Sequence, residues 1–296
     1  MNLRDELRGI TPPLVTPFEE DGTTVDEEAF GTLIEFLVER GVDGLFPCGT
    51  TGEFASLTAD ERRRLHELAV EYADGSVPVL AGAGATTVEE TLGHVETAAA
   101  VGADAAVVVP PYFHTASDPA GNMRFFEAVA DESPLPLLLY NIPSCTGRPI
   151  GLETVESIAA RENVIGMKDS SGDLQYFLSA LRRTPDDFLL LQGFDTLLLA
   201  SLRMGGDGGV NALSNVVPER HLELFEAADE ERGRTIQNAI APLFESCAEY
   251  GFAPSTKVAL SSRDVVSAET VRPPLVSVPD EGRDAIDSQL DELLEA

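Results

Sequence analysis

The 296-residue chain contains no tryptophan, only two lysines and no apolar run long enough to span a bilayer. Its 20 lysines and arginines face 51 aspartates and glutamates, which gives a formal net charge of -31 at pH 7 and a pI near 4.2. This charge opposes nucleic acid and anionic membrane surfaces as partners, because affinity for a phosphate backbone comes from cations that displace condensed counterions. The opening stretch MNLRDELRGI carries charges where a signal peptide needs an apolar segment. We expect a cytoplasmic protein.

The acidic residues are spread along the whole chain, and the two lysines are Lys168 and Lys257. A dispersed acidic surface with few lysines keeps a protein hydrated where salt screens charges, at roughly 1 M ionic strength and above. This composition favours the cytoplasm of an extreme halophile. An ordinary acidic protein is the alternative.

The sequence also lacks the motifs of several common kinds of site. Three cysteines, an odd number without CxxC spacing, indicate a reducing compartment and neither a disulfide framework nor a zinc site. The AGAGATT stretch lacks the third glycine of a dinucleotide-binding loop. Phosphate-binding GxxxxGKS or GxxxxGKT loops, GxSxG nucleophile motifs and His–acid pairs at metal-ligand spacing do not occur. We therefore expect no metal and no dissociable cofactor.

Short apolar runs alternate with segments of helical period. Runs such as ADAAVVVP and LPLLLYN are apolar without alternation, which is typical of strands covered on both faces. Eight strand–helix units favour an α/β fold, the (β/α)8 TIM barrel, over a doubly wound sheet. The predicted strands end near Val15, Phe46, Leu80, Val109, Leu139, Met167, Leu191 and Val210.

The helices predicted between these strands cover residues 26–40, 59–73, 88–101, 121–131, 152–160, 174–182, 196–203 and 217–227. We expect a catalytic barrel at residues 1–229 and a C-terminal helical extension at residues 230–296. In the extension we predict a helical run to Glu249, a turn at 251–254, the irregular stretch VRPPLVSVPD and an acidic final helix from Glu281.

The candidate site residues follow the predicted strands, because the chemistry of a (β/α)8 barrel lies at the carboxyl ends of its strands. All of them are expected to face one mouth of the barrel. They are Thr16, Gly49, Thr50, Thr51, Gly52, Glu53, Tyr112, Tyr140, Asn141, Lys168, Asp169, Ser170, Ser171, Gly172 and Asn211.

Lys168 is the most informative of these residues, because it directly follows the apolar run VIGM in a chain that has almost no lysine. A lysine turned toward a low-dielectric barrel interior has its charged form disfavoured, and the neutral amine attacks a carbonyl to form an imine. A buried ion pair with Asp169 or Glu53 is the alternative. Lys257 is expected to have a structural role.

Tyr140 is predicted to enter the same mouth, where a phenol beside the amine would shuttle protons. The hydroxyl groups of Thr50 and Thr51, with the backbone amides of their glycine-flanked turn, would hold a substrate carboxylate. The alternatives are that Tyr140 only packs and that GTTGE is only a tight turn.

Five motifs together resemble the dihydrodipicolinate synthase and N-acetylneuraminate lyase family of class I aldolases. They are GTTGE near residue 50, PPY ending at 112, YNIP from 140, GMKDSSGD around 168 and RPPL from 272. The resemblance runs from about Gly9 to Val276. It implies a (β/α)8 barrel with a C-terminal helical extension, a homotetramer built as a dimer of dimers, and Schiff-base chemistry on pyruvate or another 2-oxo acid.

The resemblance also implies roles for individual residues. By position, Lys168 matches the imine-forming lysine and Tyr140 the acid/base phenol. Thr50 matches a proton-relay threonine, Thr51 a carboxylate-binding one, and Val210 the residue whose carbonyl lines the pyruvate pocket.

Two positions depart from the synthases in that family. Cys145 stands where the synthases have an arginine for the carboxylate of aspartate semialdehyde, and Phe113 stands where they have a tyrosine that enters the neighbouring subunit. The pattern with a small residue before Thr146 is similar to that of archaeal-type 2-keto-3-deoxygluconate aldolases. Arg148 and His114 are candidates to bind an anionic substrate tail, with solvated loop residues as the alternative.

From these departures we predict cleavage of 2-keto-3-deoxy-(6-phospho)gluconate to pyruvate and glyceraldehyde or its 3-phosphate, an Entner–Doudoroff step. The alternatives are dihydrodipicolinate synthase, which condenses pyruvate with aspartate semialdehyde, N-acetylneuraminate lyase, and a hydratase or dehydratase that uses the same imine. A barrel that only binds a 2-oxo acid is the non-enzymatic alternative.

Overall fold

The computed structural model describes residues 2–114 and 118–296, and parallel strands form its centre. The seven-stranded sheet has the order β1-β7-β6-β5-β4-β3-β2, and every neighbouring pair is parallel. Strands β1 to β7 span Gly9–Ile10, Leu80–Gly82, Ala105–Val108, Leu137–Asn141, Val164–Asp169, Leu189–Gln192 and Gly208–Gly209.

Residues 45–46 close the gap between β1 and β2. Phe46 bridges Pro13 and Leu45 bridges Val79, both in parallel. The Phe46 amide donates to the carbonyl of Pro12 at 3.0 Å. With this segment the sheet has eight positions, so the predicted TIM-barrel fold is confirmed.

The first two predicted strands differ from the prediction. The first ends at Ile10 and not near Val15, because Pro12 and Pro13 have no amide hydrogen to continue a ladder. The second is reduced to isolated bridges, since Pro47 follows directly and Cys48 has a left-handed backbone with φ of 57°.

Helices surround the strands, and those predicted at 59–73 and 88–101 have the predicted bounds. The first of these begins at a capping box in which Thr58 and Glu61 satisfy each other's backbone amides. Helices α1 to α13 span Leu3–Glu6, Glu27–Glu39, Ala59–Ala73, Val88–Val101, Pro119–Glu132, Pro143–Thr146, Leu152–Ala159, Leu174–Leu181, Leu198–Arg203, Pro218–Glu226, Glu231–Tyr250, Phe252–Ser261 and Asp280–Glu295. Short 3-10 helices cover Phe54–Ser56, Asp195–Leu197 and Ala212–Asn215.

The C-terminal helices α11 to α13 pack on the barrel. Ile240 and Leu243 of α11 lie in the same apolar core as Leu14 and Leu198. The predicted turn at 251–254 is wrong, because Gly251, with φ of 98°, ends α11 and a new helix begins at once. The proline at 254 lies in the first turn of α12, where a missing amide hydrogen costs nothing. Within the described residues, no helix is long and apolar enough to cross a membrane.

Candidate active site

Lys168 and Tyr140 lie side by side at the carboxyl ends of β5 and β4. They are register partners, and each side chain is only 4% exposed. The Lys168 nitrogen lies 4.4 Å from the centre of the Tyr140 ring and 5.3 Å from that of Phe46. The amine therefore sits against aromatic rings inside the barrel, next to a phenol that can exchange protons with it.

A β-bulge turns Lys168 toward the barrel interior. Leu137 pairs with Val164, but the next residue of β4 pairs two positions further along β5. The extra residue moves every later side chain of β5 to the opposite face. Val164 and Met167 consequently both lie in the outer core between strands and helices, while Lys168 faces inward. Without the bulge, Lys168 would lie on the same face as Val164.

The turn at residues 49–53 presents two hydroxyl groups to this amine. The Thr50 hydroxyl donates to the Tyr140 phenol oxygen at 3.4 Å, and Thr51 lines the cavity around Lys168. The Thr16 hydroxyl, placed by sequence in the mouth, donates to the Gly52 carbonyl at 2.7 Å and fastens the turn. At Gly49 a Cβ would lie 2.9 Å from the Phe46 ring. GTTGE is thus a tight turn that also carries site residues.

The cavity around Lys168 combines barrel residues with the C-terminal extension. Val210 lines it, as the resemblance implies, and so does Ser170, which the sequence placed at the mouth directly after Asp169. Three aromatic rings complete one wall, with centroids 5.4 and 5.2 Å apart in succession: Phe194, Phe244 and Phe252. Phe252 was not among the predicted site residues, because it begins a helix where we predicted a turn.

A second cavity adjoins the first and shares four lining residues with it, Thr50, Ile142, Cys145 and Leu275. Tyr112 lines this second cavity, in edge contact with Phe54 at 6.2 Å between ring centres. The shared wall makes the two cavities suitable for the two halves of a longer substrate or for two substrates.

Other predicted residues lie elsewhere. Asn211 is fully buried and donates from its side chain to the Gln192 carbonyl at 3.2 Å. Arg148 is exposed. His114 is also exposed and packs edge-on against the Phe113 ring at 5.1 Å. Within the described residues, neither cavity is lined by any of these three predicted side chains, Asn211, Arg148 and His114.

The two carboxylates that could have paired with Lys168 have other partners. Glu53 forms a buried ion pair with Lys257. Asp169 accepts hydrogen bonds from the Asn141 amide at 2.7 Å and from the Ser171 hydroxyl at 2.9 Å. In the parts of the chain that the structure describes, no group of three or more His, Cys, Asp or Glu side chains is arranged to hold a metal.

Asp169 is the acid whose ionisation the site perturbs most clearly. Burial raises the pKa of Asp169 from 3.8 to about 6, although hydrogen bonds from Asn141 and Ser171 oppose the shift. Because the folded state then holds this proton more tightly than the unfolded state, Asp169 stabilises the fold fully below about pH 4. That contribution is lost as the pH rises through about 6.

We expect Asp169→Asn to remove this part of the pH dependence. Asparagine preserves the shape, and the Ser171 hydroxyl can reverse its role and accept. Relative to the variant, the wild type should lose about 2 kcal/mol of unfolding free energy between pH 4 and 6.5, which is most of the roughly 3 kcal/mol that the pKa shift contributes at low pH. Urea titrations at several pH values give the difference curve. Parallel curves would show that Asp169 is not the titrating group.

Comparison with known proteins places the chain in a class. Residues 6–293 match the model of the dihydrodipicolinate synthetase family. Together with the parallel barrel, this defines a pyruvate-dependent lyase on a TIM-barrel-like fold, and the chain belongs to the dihydrodipicolinate synthetase family. The enzyme and lyase predictions are confirmed.

Individual relatives cover nearly the whole chain. A 4-hydroxy-tetrahydrodipicolinate synthase of Methanopyrus kandleri is 35% identical and covers 97% of each chain. An uncharacterised DapA-like lyase of Halobacterium salinarum is 36% identical over 97% of this chain and 94% of its own. The crystal structure of YagE from Escherichia coli K12 in complex with pyruvate is 31% identical, with a TM-score of 0.92 over 98% of this chain and 99% of its own.

The prediction of a 2-keto-3-deoxygluconate aldolase is wrong. Relatives at 35% and 38% identity are named 4-hydroxy-tetrahydrodipicolinate synthase, which favours the alternative that the sequence left open. The error came from two positions, Cys145 and Phe113, and both side chains are exposed. Exposed positions tolerate change more readily than the buried scaffold does, so two of them cannot outweigh similarity along the whole chain.

Proposed function

We propose that this enzyme condenses pyruvate with aspartate semialdehyde to give 4-hydroxy-tetrahydrodipicolinate. The observation that carries the proposal is the buried Lys168 amine beside the Thr50–Tyr140 hydroxyl pair in one cavity. The pyruvate bound to YagE supports the first substrate, and the names of the synthase relatives support the second.

The chemistry begins with attack of the Lys168 amine on C2 of pyruvate. Loss of water gives the imine, and loss of a C3 proton gives the enamine, whose C3 then adds to the aldehyde carbon. Tyr140, next to Lys168 and Thr50, moves a proton from the carbinolamine nitrogen to the departing hydroxyl, then accepts the C3 proton and returns it to the new alkoxide. The amino group of the semialdehyde finally attacks C2 of the imine, which closes the ring and releases Lys168.

The remaining site residues bind and orient. Thr51 and the backbone amide of Gly49 are assigned to the pyruvate carboxylate, and the carbonyl of Val210 to the wall of the pyruvate pocket. Thr16 acts indirectly, since its hydroxyl holds the turn. Tyr112 is assigned to the second cavity, where the aldehyde would lie.

An assay with both substrates in molar KCl tests the proposed function. We expect formation of the cyclic product to require pyruvate and aspartate semialdehyde together. If the acidic surface is a halophilic adaptation, the rate of product formation should also fall when the salt is diluted. Light scattering of the same sample measures the oligomeric state and tests the homotetramer that the resemblance implies. Absence of product with both substrates, at every salt concentration, would contradict the proposed aldehyde.

Cys145 provides a test of the second substrate. It lies on the wall shared by both cavities, at the position where the synthases have an arginine. A guanidinium there would bind the semialdehyde carboxylate through two parallel hydrogen bonds. We expect Cys145→Arg to lower the KM for aspartate semialdehyde by about 10-fold, the worth of one charged hydrogen bond, and to leave the KM for pyruvate unchanged.

Cys145→Met is the matched control, since it lengthens the side chain without a charge. If methionine and arginine change the KM for aspartate semialdehyde equally, the carboxylate does not lie beside residue 145.

A further inference from the structure

A buried ion pair connects the C-terminal extension to the turn that carries Thr50 and Thr51. The Lys257 nitrogen, on α12, lies 2.6 Å from the Glu53 carboxylate, and both side chains are fully buried. Desolvating two charges costs several kcal/mol per ion, so such a pair is weak evidence for stability by itself. The segments that the ion pair connects are more informative about its role.

Both partners also bind the segment just beyond α12. The Lys257 nitrogen donates to the Thr270 carbonyl at 2.7 Å, and the second Glu53 oxygen accepts from the Arg272 amide at 3.0 Å. We call these four residues the Glu53 network. The Arg272 guanidinium in turn forms an ion pair with Glu61 at 2.7 Å, which fastens the segment to α3.

The Glu53 network reaches both sides of the cavity. Glu53 is the last residue of the turn at 49–53 and has a left-handed backbone with φ of 57°, a conformation that non-glycine residues adopt only where surrounding contacts hold them. Three residues beyond Arg272, Leu275 lines both cavities. The network therefore holds the hydroxyl-bearing turn at one end and the segment over the cavities at the other.

We propose that Glu53 and Lys257 are positioning residues, which set the turn at 49–53 and the segment at 270–275 so that Thr51 receives the carboxylate of the 2-oxo acid. The inference rests on the proposed function for its pyruvate. Lys257 then contributes to the site without contacting the reacting atoms. It also makes the C-terminal extension necessary for full affinity.

Lys257→Met tests the inference, because it removes the ammonium group and keeps an unbranched side chain. We expect the pyruvate concentration that half-saturates borohydride trapping on Lys168 to rise by about 10-fold or more, which corresponds to about 1.4 kcal/mol of binding. Trapping should still reach completion at high pyruvate, since the nucleophile is intact. Amide hydrogen exchange in residues 49–56 and 270–276 of the free enzyme should accelerate.

Two further variants separate positioning from stability. Glu53→Gln with Lys257→Met leaves no unpaired buried charge, so it should fold even where the single variant does not, and it should still require more pyruvate. Val129→Ala, in the fully buried core of α5, loses packing away from the network and should keep the wild-type requirement.

Wild-type exchange and a wild-type pyruvate requirement in the double variant would overturn the inference, as would an equal increase for Val129→Ala. If the wild-type enzyme traps no pyruvate at all, the proposed function is refuted. In that case the amide hydrogen exchange rates alone test whether the ion pair holds the turn at 49–53.

Discussion

Replacing Lys168 with alanine is expected to abolish turnover. The imine requires an amine at this point of β5, and no other step of the proposed chemistry can begin without it. Loss of a covalent nucleophile costs on the order of 10⁴-fold or more in kcat. Steady-state assays with saturating pyruvate, in molar KCl, measure the loss.

Lys168→Arg is the control that keeps much of the side-chain length and a nitrogen-bearing head group but cannot form the imine. It should be as inactive as the alanine variant. Near-normal turnover by either variant would contradict Schiff-base catalysis. Circular dichroism tests whether both variants remain folded.

Tyr140→Phe is expected to lower kcat by about 10²- to 10⁴-fold, the usual contribution of a positioned acid or base. The ring should keep its edge contact with Phe46, at 6.3 Å between ring centres, so the fold should survive. Pyruvate should still be trapped on Lys168, more slowly than in the wild type, because the phenol moves protons and the amine forms the bond. Rapid-quench trapping and steady-state kcat separate the two effects.

Tyr176→Phe is a matched control, because it removes the same atom from a tyrosine that does not line the cavity. The Tyr176 hydroxyl donates to the Ile150 carbonyl at 2.8 Å, behind β5. This variant should lose stability and keep its kcat. If both tyrosine variants lose kcat equally, or if Tyr140→Phe stays within a few-fold of the wild type, Tyr140 is not the proton-transfer group.

The parts of the fold that sequence predicted best are those fixed by local chemistry. The helix at 59–73 has a capping box at its start, and the strand at 137–141 is apolar without alternation because both of its faces are covered. In such segments the local preference and the final packing agree. The eight-unit repeat then leaves the barrel as the arrangement that buries every strand.

The parts that sequence could not predict depend on distant contacts. The bulge in β5 that turns Lys168 inward is a register shift against β4, and it has no periodic signal of its own. The Glu53–Lys257 pair joins residues 204 positions apart. The sequence predicted a turn at the start of α12 because Gly251 and Pro254 lie on either side of its first residues. Proline is, however, well tolerated in the first turn of a helix.

The aldehyde partner was mispredicted for a related reason. The residues assigned to pyruvate are buried strand and turn residues, whereas Cys145 lies exposed on the wall between the cavities. One exposed side chain changes affinity for a substrate more easily than it changes the reaction.

Borohydride trapping of pyruvate, followed by peptide mass spectrometry, tests the central claim most directly. The chain has only two lysines, so the reduced adduct can form at Lys168, at Lys257 or at the terminal amine. We predict a single adduct on Lys168, lost in Lys168→Ala, with Lys257 unmodified because it is fully buried in its ion pair with Glu53. An adduct on Lys257, or active enzyme that traps no pyruvate on Lys168, would contradict the account.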